Sequence, residues 1–446
     1  MYIKSQKFLV LGVSKSGYAV AKHILDNGGQ CYLYEELTSP KIDEALKLLT
    51  SLGAIRLNEE SLDKILLHID ILVISPGVPI NHEIAIKAKN LGKRIIGELE
   101  FGCLQFTPPI IAITGTNGKT TTATLVDAIL NERGLKSALV GNVGVPITSR
   151  INEIDSDTIC VAEVSSFQLE TIYSFCPHVS CILNISPDHL ERHYTMENYI
   201  YLKKRVFKNQ RESEYTILNY DDKIVRGFCT EIKSKILYVS TREKVDGAYL
   251  LADKLYYRDE YVTSIEDLKL SGEHNVYNTL FAIAIAKLMN VDSYIIASAL
   301  KNFKGVKHRM ELIGTKYGVE FYNDSKATNT ASTISAIESI LKPIILILGG
   351  SEKGEKYINL FEKIKESTVK HVILTGASRY NMLESAGKVG YSNLTLTSDF
   401  STAVKIAKLI SEEGDAVLLS PACASFDNFS CFEERGEKFK EIVEGF

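Results

Sequence analysis

What the chain lacks narrows its identity first. Eight cysteines, Cys31, Cys103, Cys160, Cys176, Cys181, Cys229, Cys423 and Cys431, are scattered along 446 residues, and none falls in a C-x-x-C pair. That spacing argues against a zinc site or a thioredoxin-like redox motif. Several of them, such as Cys181 in Cys-Ile-Leu-Asn, sit in apolar runs and read as small buried hydrophobes. No stretch approaches the roughly 20 apolar residues of a membrane span, and the first apolar run, Phe8–Leu11, is too short for a secretory leader. A cytoplasmic chain that makes no membrane contact is the expectation. Positive charge is not in excess either: 51 Lys and Arg against 55 Asp and Glu give a formal net charge of -4. That balance argues against a generally basic nucleic-acid-binding surface. Repeats, low-complexity tracts and long charge blocks are absent. Lys203-Lys204-Arg205 is a short basic run on a predicted helix.

What remains is ordinary for a soluble enzyme, with 45% hydrophobic and 24% charged residues. At about 100–200 residues per domain, the length suggests about two to four domains, with three the working expectation. Short apolar runs alternate with longer amphipathic stretches: Phe8–Leu11, Cys31–Tyr34, Ile71–Ile74, Ile110–Ile113, Ile159–Val164, Val179–Leu183, Ile344–Leu348, Val372–Leu374 and Ala416–Leu419. Helical patterns such as Ala123–Glu132 and Thr279–Leu288 lie between such runs. Continuous apolar strands alternating with helices are the mark of parallel sheets covered on both faces, so the fold class is α/β. The stretches Phe106–Pro109 and Lys304–Lys307 read as hinge regions.

The sharpest local signal is Ile110-Ile-Ala-Ile-Thr-Gly-Thr-Asn-Gly-Lys-Thr-Thr-Thr122. An apolar strand runs into a glycine-containing turn, then Lys119, then a helix that starts with three threonines. Exposed N–H groups and the positive end of the helix dipole cradle phosphate oxygens in such a loop. ATP is the expected ligand, with Gly115, Thr116, Asn117, Gly118 and Thr121 around its phosphates. Lys119 would neutralise the β and γ phosphates, and the Thr120 hydroxyl would ligate Mg²⁺. Ile113 stands where the strict G-x-x-x-x-G-K-[ST] pattern has its first glycine. A second metal ligand usually comes from an acidic residue at a neighbouring strand end, and Glu163 occupies such a place. His189, in Asn184-Ile-Ser-Pro-Asp-His189, also follows a strand. Alone it is as readily a surface histidine as a ligand; beside the loop and Glu163 it reads as a ligand.

These features together resemble the Mur ligase family, with its relative folylpolyglutamate synthase. The likeness rests on Thr114–Thr120, Glu163, Asn184–His189 and Gly272-Glu-His-Asn-Val-Tyr-Asn278, and spans essentially the whole chain. Within the family, Glu163–Glu170, Asn323–Asn329, Ser420–Asp427 and Phe432–Gly436 resemble the branch that adds D-glutamate. The resemblance implies three domains: a Rossmann-like uridine-nucleotide domain at 1–97, a central P-loop ATPase with a mostly parallel sheet at 98–304, and a Rossmann-like amino-acid domain at 305–446. It implies UDP-N-acetylmuramoyl-L-alanine and D-glutamate as substrates, ATP and two Mg²⁺ as cofactors, and a monomeric chain. Gly12-Val-Ser-Lys-Ser-Gly17 agrees, since Ser14 replaces the middle glycine that a dinucleotide pyrophosphate needs. Glu35 is read equally as a ribose ligand or as a solvated strand end.

By the same resemblance Lys15, Ser16, Glu35, Ser75, Gly77 and Asn142 line the nucleotide-sugar path. Asn275, Asn278, His308, Arg309 and Asp324 meet the adenine and ribose. Without the family, Gly272-Glu-His-Asn and Lys307-His-Arg are unremarkable polar turns. Lys326, Thr328, Lys353, Ser425 and Phe432 form the D-glutamate site. Thr120 and Glu163 hold one Mg²⁺ and His189 a second. Lys203, in Tyr199-Ile-Tyr-Leu-Lys203, carries a carbamate that turns it into a metal ligand; the bland reading is a surface lysine on a helix. The implied reaction is ATP-driven amide formation through an acyl phosphate. Other ligases of the family and folylpolyglutamate synthase share the phosphate loop, and Asn323–Asn329 and Ser420–Asp427 separate them in favour of D-glutamate. An ATP-driven motor would hydrolyse without a carboxylate acceptor, and an oxidoreductase would need the glycine that Ser14 displaces.

Overall fold

The protein is described by a computed structural model covering residues 2–106, 108–142, 144–270, 272–303, 305–351 and 356–446. These residues form two compact units. The first holds residues up to 269 together with 273–303, and the second holds 270–272 and 304–446.

The first unit contains two sheets. One is built from β1 (Lys7–Leu11), β2 (Gln30–Tyr34), β3 (Ile55–Arg56), β4 (Ile71–Ile74) and β5 (Arg94–Gly97), all parallel, in the order 3-2-1-4-5. This is the strand order of a doubly wound, Rossmann-like sheet. Its strand order reverses between β1 and β4, and ligands bind where the carboxyl ends diverge at such a switch. Residues on one face of β1, Phe8 and Val10, meet Val20 and Ile24 of the helix Lys15–Asp26. Leu9 and Leu11 on the other face meet Leu62 and Leu66 of the helix Glu59–His68. Burial on both faces explains why the strands read as continuous apolar runs.

The second sheet has nine strands: β6 (Ile110–Thr114), β7 (Ser137–Gly141), β8 (Ile159–Glu163), β9 (Val179–Ile182), β10 (Tyr215–Asn219), β11 (Lys235–Ser240), β12 (Gly247–Leu251), β13 (Lys254–Tyr257) and β14 (Glu260–Ser264). Their order is 14-13-12-11-10-9-6-8-7. The strands from β7 to β12 are parallel, while β12, β13 and β14 form an antiparallel meander at one edge. The sequence pattern did not reveal that meander. The helix Glu273–Leu288 is buried along most of its length and packs against the helix Lys119–Glu132. Glu273, His274 and Asn275 thus begin a helix, where the pattern alone suggested a polar turn.

The second unit carries β15 (Glu311–Lys316), β16 (Val319–Asn323), β17 (Ile344–Leu348), β18 (Val369–Leu374), β19 (Leu394–Leu396) and β20 (Ala416–Leu419), ordered 15-16-20-17-18-19. Among these strands the β15–β16 pair is antiparallel and the other described pairs are parallel. Apolar cores lie on both faces, one around Leu346, Phe361 and Leu418, the other around Phe321, Ile347 and Phe439. Among the described residues no helix is long and apolar enough to cross a membrane.

Candidate active site

The phosphate loop follows β6, at the centre of the nine-stranded sheet, and enters the helix Lys119–Glu132 through Gly118. Gly118 has φ 87, and a methyl group there would collide with the Asn278 side chain, so both backbone and space require glycine. The N-cap, Gly118, has no side chain to cap this helix start, and the N-terminal end of a helix favours an anion. The Thr121 hydroxyl, in the first turn, is buried without a hydrogen-bond partner among the described residues. A loop of this kind fits phosphate oxygens.

The segment after β9 holds the loop in shape. The Asn184 side chain accepts from the Asn117 amide at 2.8 Å and donates to the Asn117 carbonyl at 3.1 Å. The Thr116 hydroxyl donates to the Ser186 carbonyl at 3.1 Å and lies 3.1 Å from the Tyr199 hydroxyl. Neither Asn184 nor Tyr199 was given a role from sequence, although each lies inside a segment that carried the resemblance.

Around this loop Lys119, Thr120, Glu163 and Lys203 gather. The Thr120 hydroxyl donates to Glu163 Oε2 at 2.6 Å, and the Asn142 amide donates to Glu163 Oε1 at 2.7 Å. Glu163 is buried at the end of β8. Asn142, expected along the nucleotide-sugar path, therefore orients Glu163. Hydroxyl and carboxylate oxygens side by side suit a hard divalent cation. Lys119 Nζ donates to the carbonyls of Gly115 at 2.9 Å and Thr116 at 2.7 Å.

Lys203 is not a surface lysine. It is 2% exposed, and its Nζ donates to the Gly115 carbonyl at 2.8 Å. Two lysine nitrogens thus meet one carbonyl oxygen. Burial holds the Lys203 pKa well below the usual lysine range, and the charge of Lys119 adds to the depression. The Tyr199 ring lies 4.6 Å from its Nζ. Lys204 points elsewhere and pairs with Glu231. His189 has φ 52 and stands at the start of the short helix Leu190–His193, its side chain 38% exposed. Its ring centroid is 4.9 Å from that of Phe167, and its Nδ1 is 3.4 Å from Glu191. The Asn278 side-chain Oδ1 accepts from the Thr122 hydroxyl at 3.2 Å, and its Nδ2 donates to Asn275 Oδ1 at 3.1 Å, so Asn278 sits against the phosphate-loop helix with Asn275 bonded to it.

At the switch point of the first sheet, the Ser75 hydroxyl donates to the Gly12 carbonyl at 2.7 Å. Glu35 accepts from the amides of Val13 at 2.5 Å and Leu37 at 2.9 Å, so it ties two loops together. Lys15 and Ser16 open the helix Lys15–Asp26, whose Ser14 cap makes no side-chain bond. Gly77 is exposed in the loop after β4.

In the second unit, the carboxyl ends of β16 and β20 bring together a separate polar cluster. Asp324 accepts from the Ser420 hydroxyl at 2.7 Å and from the Met310 amide at 3.2 Å. Burial pushes its carboxyl up to about 6, against the opposing pull of Ser420 and Arg309. His308 has φ 60 and is buried; its Nδ1 is 3.0 Å from the Asn323 amide and its carbonyl accepts from the Lys326 amide. Lys326 Nζ lies 5.2 Å from the Phe432 ring centroid. Thr328 is in the same turn, before the helix Thr330–Glu338. Ser425 is buried in the loop after β20. Lys353 lies outside the described residues. Arg435, which sequence reading quoted without a role, is buried and donates to Ser325, Cys423 and Ala424. It thereby holds the 323–329 and 420–427 loops together.

Comparison with known proteins accords with this geometry. Residues 6–97 match the Mur ligase MurD-like N-terminal domain, 113–286 the Mur ligase middle domain, and 308–423 the glutamate ligase domain of Mur ligases. The chain is 40% identical over 447 residues, 99% of each protein, to the UDP-N-acetylmuramoylalanine–D-glutamate ligase of Caldanaerobacter subterraneus. It is 40% identical over 452 residues, again 99% of each, to the ligase of that name from Clostridioides difficile. Among solved structures, the UDP-N-acetylmuramate-alanine ligase of Thermotoga maritima matches with a TM-score of 0.64 at 18% identity over 99% of both chains. A pseudomurein peptide ligase of Methanothermus fervidus matches at 0.61 and 20%, over 99% of both. At that identity these two bear on the fold alone.

Proposed function

This chain belongs to the Mur ligase family, and we propose that it joins D-glutamate to UDP-N-acetylmuramoyl-L-alanine at the expense of ATP, extending a peptidoglycan precursor. One observation carries the chemistry: Lys119 and Lys203 converge on the Gly115 carbonyl beside the Thr120–Glu163 pair. The alanyl carboxylate attacks the γ-phosphorus, giving an acyl phosphate and ADP. The D-glutamate amine then attacks the acyl carbon, and phosphate leaves as the amide forms. Bringing two anions together is the electrostatic obstacle, so preorganised positive charge and positioning supply the rate.

Each group has a place in that scheme. Gly115, Thr116, Asn117, Gly118, Thr120 and Thr121 hold the phosphates, and Lys119 neutralises the β and γ oxygens. Asn275, Asn278, His308, Arg309 and Asp324 hold adenine and ribose. Thr120 and Glu163 would hold one Mg²⁺, and His189 with carbamylated Lys203 a second. Mg²⁺, when bound, lowers the repulsion between phosphoryl and carboxylate oxygens. Lys15, Ser16, Glu35, Ser75, Gly77 and Asn142 receive the nucleotide-sugar, with Asn142 also steadying Glu163. Lys326, Thr328, Lys353, Ser425 and Phe432 receive D-glutamate. The functional domains are 1–97, 98–304 and 305–446.

The test is direct. Incubation with UDP-N-acetylmuramoyl-L-alanine, ATP, Mg²⁺ and one amino acid at a time should yield the extended nucleotide and phosphate with D-glutamate, and not with L-alanine, L-lysine or a diamino acid. Extension by another amino acid in preference to D-glutamate would overturn the assignment.

A further inference from the structure

Inside the first unit, the loop after β4 faces residues of the nine-stranded-sheet domain across a narrow cleft lined by Ser75, Pro76, Val78, Phe167 and Glu170. One side chain crosses it. Arg192 donates through Nη2 to Glu170 Oε2 at 2.6 Å and through Nε to Glu170 Oε1 at 3.3 Å. Its remaining donors reach over to the Val78 carbonyl at 3.0 Å and the Gly77 carbonyl at 3.5 Å. The planar guanidinium fork can do this because it carries five N–H donors in a fixed array. A lysine ammonium has the charge without that array.

The anchor beneath it is itself fixed. The Glu170 carbonyl accepts from Arg205 Nη1 at 2.6 Å, and the Ile172 carbonyl accepts from Arg205 Nη2 at 2.5 Å. The Arg192 and Glu170 side chains are only 12% and 7% exposed, so their pairing is shielded from the screening that weakens surface ion pairs. The guanidinium also lies 4.8 Å from the Phe167 ring centroid. That same ring packs against His189 and, at 5.3 Å, against His193.

We infer that Arg192 is a positioning residue: it pins the Gly77–Val78 backbone to the Glu170 platform, so that the nucleotide-sugar loop is held in its binding shape in one frame with His189. The inference rests on the proposed function for its choice of ligand. A loop so held binds its ligand without first being ordered, and the benefit falls on substrate affinity rather than on the chemical step. The contacts proposed for ATP and D-glutamate do not include this loop.

The experiment uses the full chain as wild type, Arg192→Lys, Glu170→Gln and the double variant, with steady-state constants measured for each substrate in turn. The expected result is a rise of about tenfold in KM for UDP-N-acetylmuramoyl-L-alanine, with kcat within about threefold and the KM values for ATP and D-glutamate within about twofold. Because both changes break one tie, the double variant should resemble Arg192→Lys alone. Equal rises in KM for the nucleotide-sugar and ATP, no change in either, or multiplying effects in the double variant would each overturn the inference. Calorimetric binding of UDP-N-acetylmuramoyl-L-alanine alone separates this inference from the reaction assignment. If the wild type binds the nucleotide without extending it by D-glutamate, the assignment fails. Arg192→Lys should still weaken that binding about tenfold, and unchanged binding would sink the inference by itself.

Discussion

A lysine ammonium stripped of water and set beside a second ammonium is a poor cation, and Lys203 is in that position. Burial, with the charge of Lys119 adding to it, holds its pKa below the usual lysine range, so the neutral amine is reached at lower pH than in a solvated lysine. The sign of the pH effect follows. Below the folded pKa a buried ammonium must be accommodated at a cost, and that cost fades as pH rises. A neutral amine is also a nucleophile: its lone pair attacks the carbon of CO₂, the C–N bond forms as one C=O π bond breaks and its pair moves onto oxygen, and a proton leaves nitrogen for solvent, giving a carbamate. The ammonium has no lone pair for this step. Activity should therefore fall on the acid side in CO₂-depleted buffer and recover on adding bicarbonate. Lys203→Ala should lose nearly all turnover, ignore bicarbonate, and regain part of its rate with a short carboxylate such as formate. Wild-type turnover in Lys203→Ala would rule the carbamate out. Sequence alone could not decide between this lysine and a solvated one, because burial is set by Tyr199 and Gly115, whose contacts no local spacing encodes. The same limit hid the Asn142 contact with Glu163 and the role of Arg435, since each joins segments distant along the chain.

At the scale of elements, legibility depended on how each strand is buried. β1, β4, β6, β8 and β17 are covered on both faces and read as unbroken apolar runs. β7 alternates half-buried and buried residues, β13 and β14 are short and partly exposed, and their apolar signal is correspondingly weak. The hairpin between β12 and β13 turns through Ala252 and Asp253, both at positive φ, in place of the glycine or asparagine that marks such turns. The helix Glu273–Leu288 matters most to the site because it carries Asn275 and Asn278. Between them Tyr277 reaches the other way: its hydroxyl donates to Asp221 at 2.7 Å and accepts from Thr241 at 2.8 Å. Asp221 also accepts from Ser240 at 2.8 Å. This strut fixes the start of the helix to the ends of β10 and β11. Tyr277→Phe keeps the ring and removes both bonds, which should cost about 1–2 kcal/mol. A lower Tm and a raised KM for ATP, with KM for D-glutamate unchanged, are the expected outcome. An unaltered KM for ATP would show that the helix start is held by packing alone.

For the whole molecule, a functional boundary and a folding boundary need not coincide, and the first sheet shows why. The matched N-terminal segment ends at residue 97, yet its core does not. Phe101, in the helix Glu98–Cys103, is fully buried and packs edge-on to Phe8 at 6.0 Å and to His23 at 5.9 Å. The same short helix is committed to the neighbouring domain. Glu98 accepts from the Thr148 amide at 2.8 Å. Glu100, fully buried, accepts from the amides of Tyr173 at 3.0 Å, Ser174 at 2.9 Å and Phe175 at 3.0 Å, and from the Ser174 hydroxyl at 2.6 Å. A fragment of residues 1–97 therefore lacks a core aromatic, and one extended to residue 106 loses the hydrogen bonds that Glu100 accepts from Tyr173, Ser174 and Phe175, keeping the Arg94 guanidinium 3.7 Å away. Losing a buried phenylalanine alone costs about 3–5 kcal/mol, a large share of a small domain's stability. By contrast, residues 305–446 contain a six-stranded sheet with an apolar core on each face, drawn from their own elements. The 305–446 fragment should melt in one cooperative transition with a dispersed amide spectrum. The 1–97 fragment should show a broad transition and bind hydrophobic dye, while 1–303 regains cooperativity. A sharp melt and dispersed spectrum from 1–97 would mean that Phe101 and Glu100 decorate a domain already complete without them.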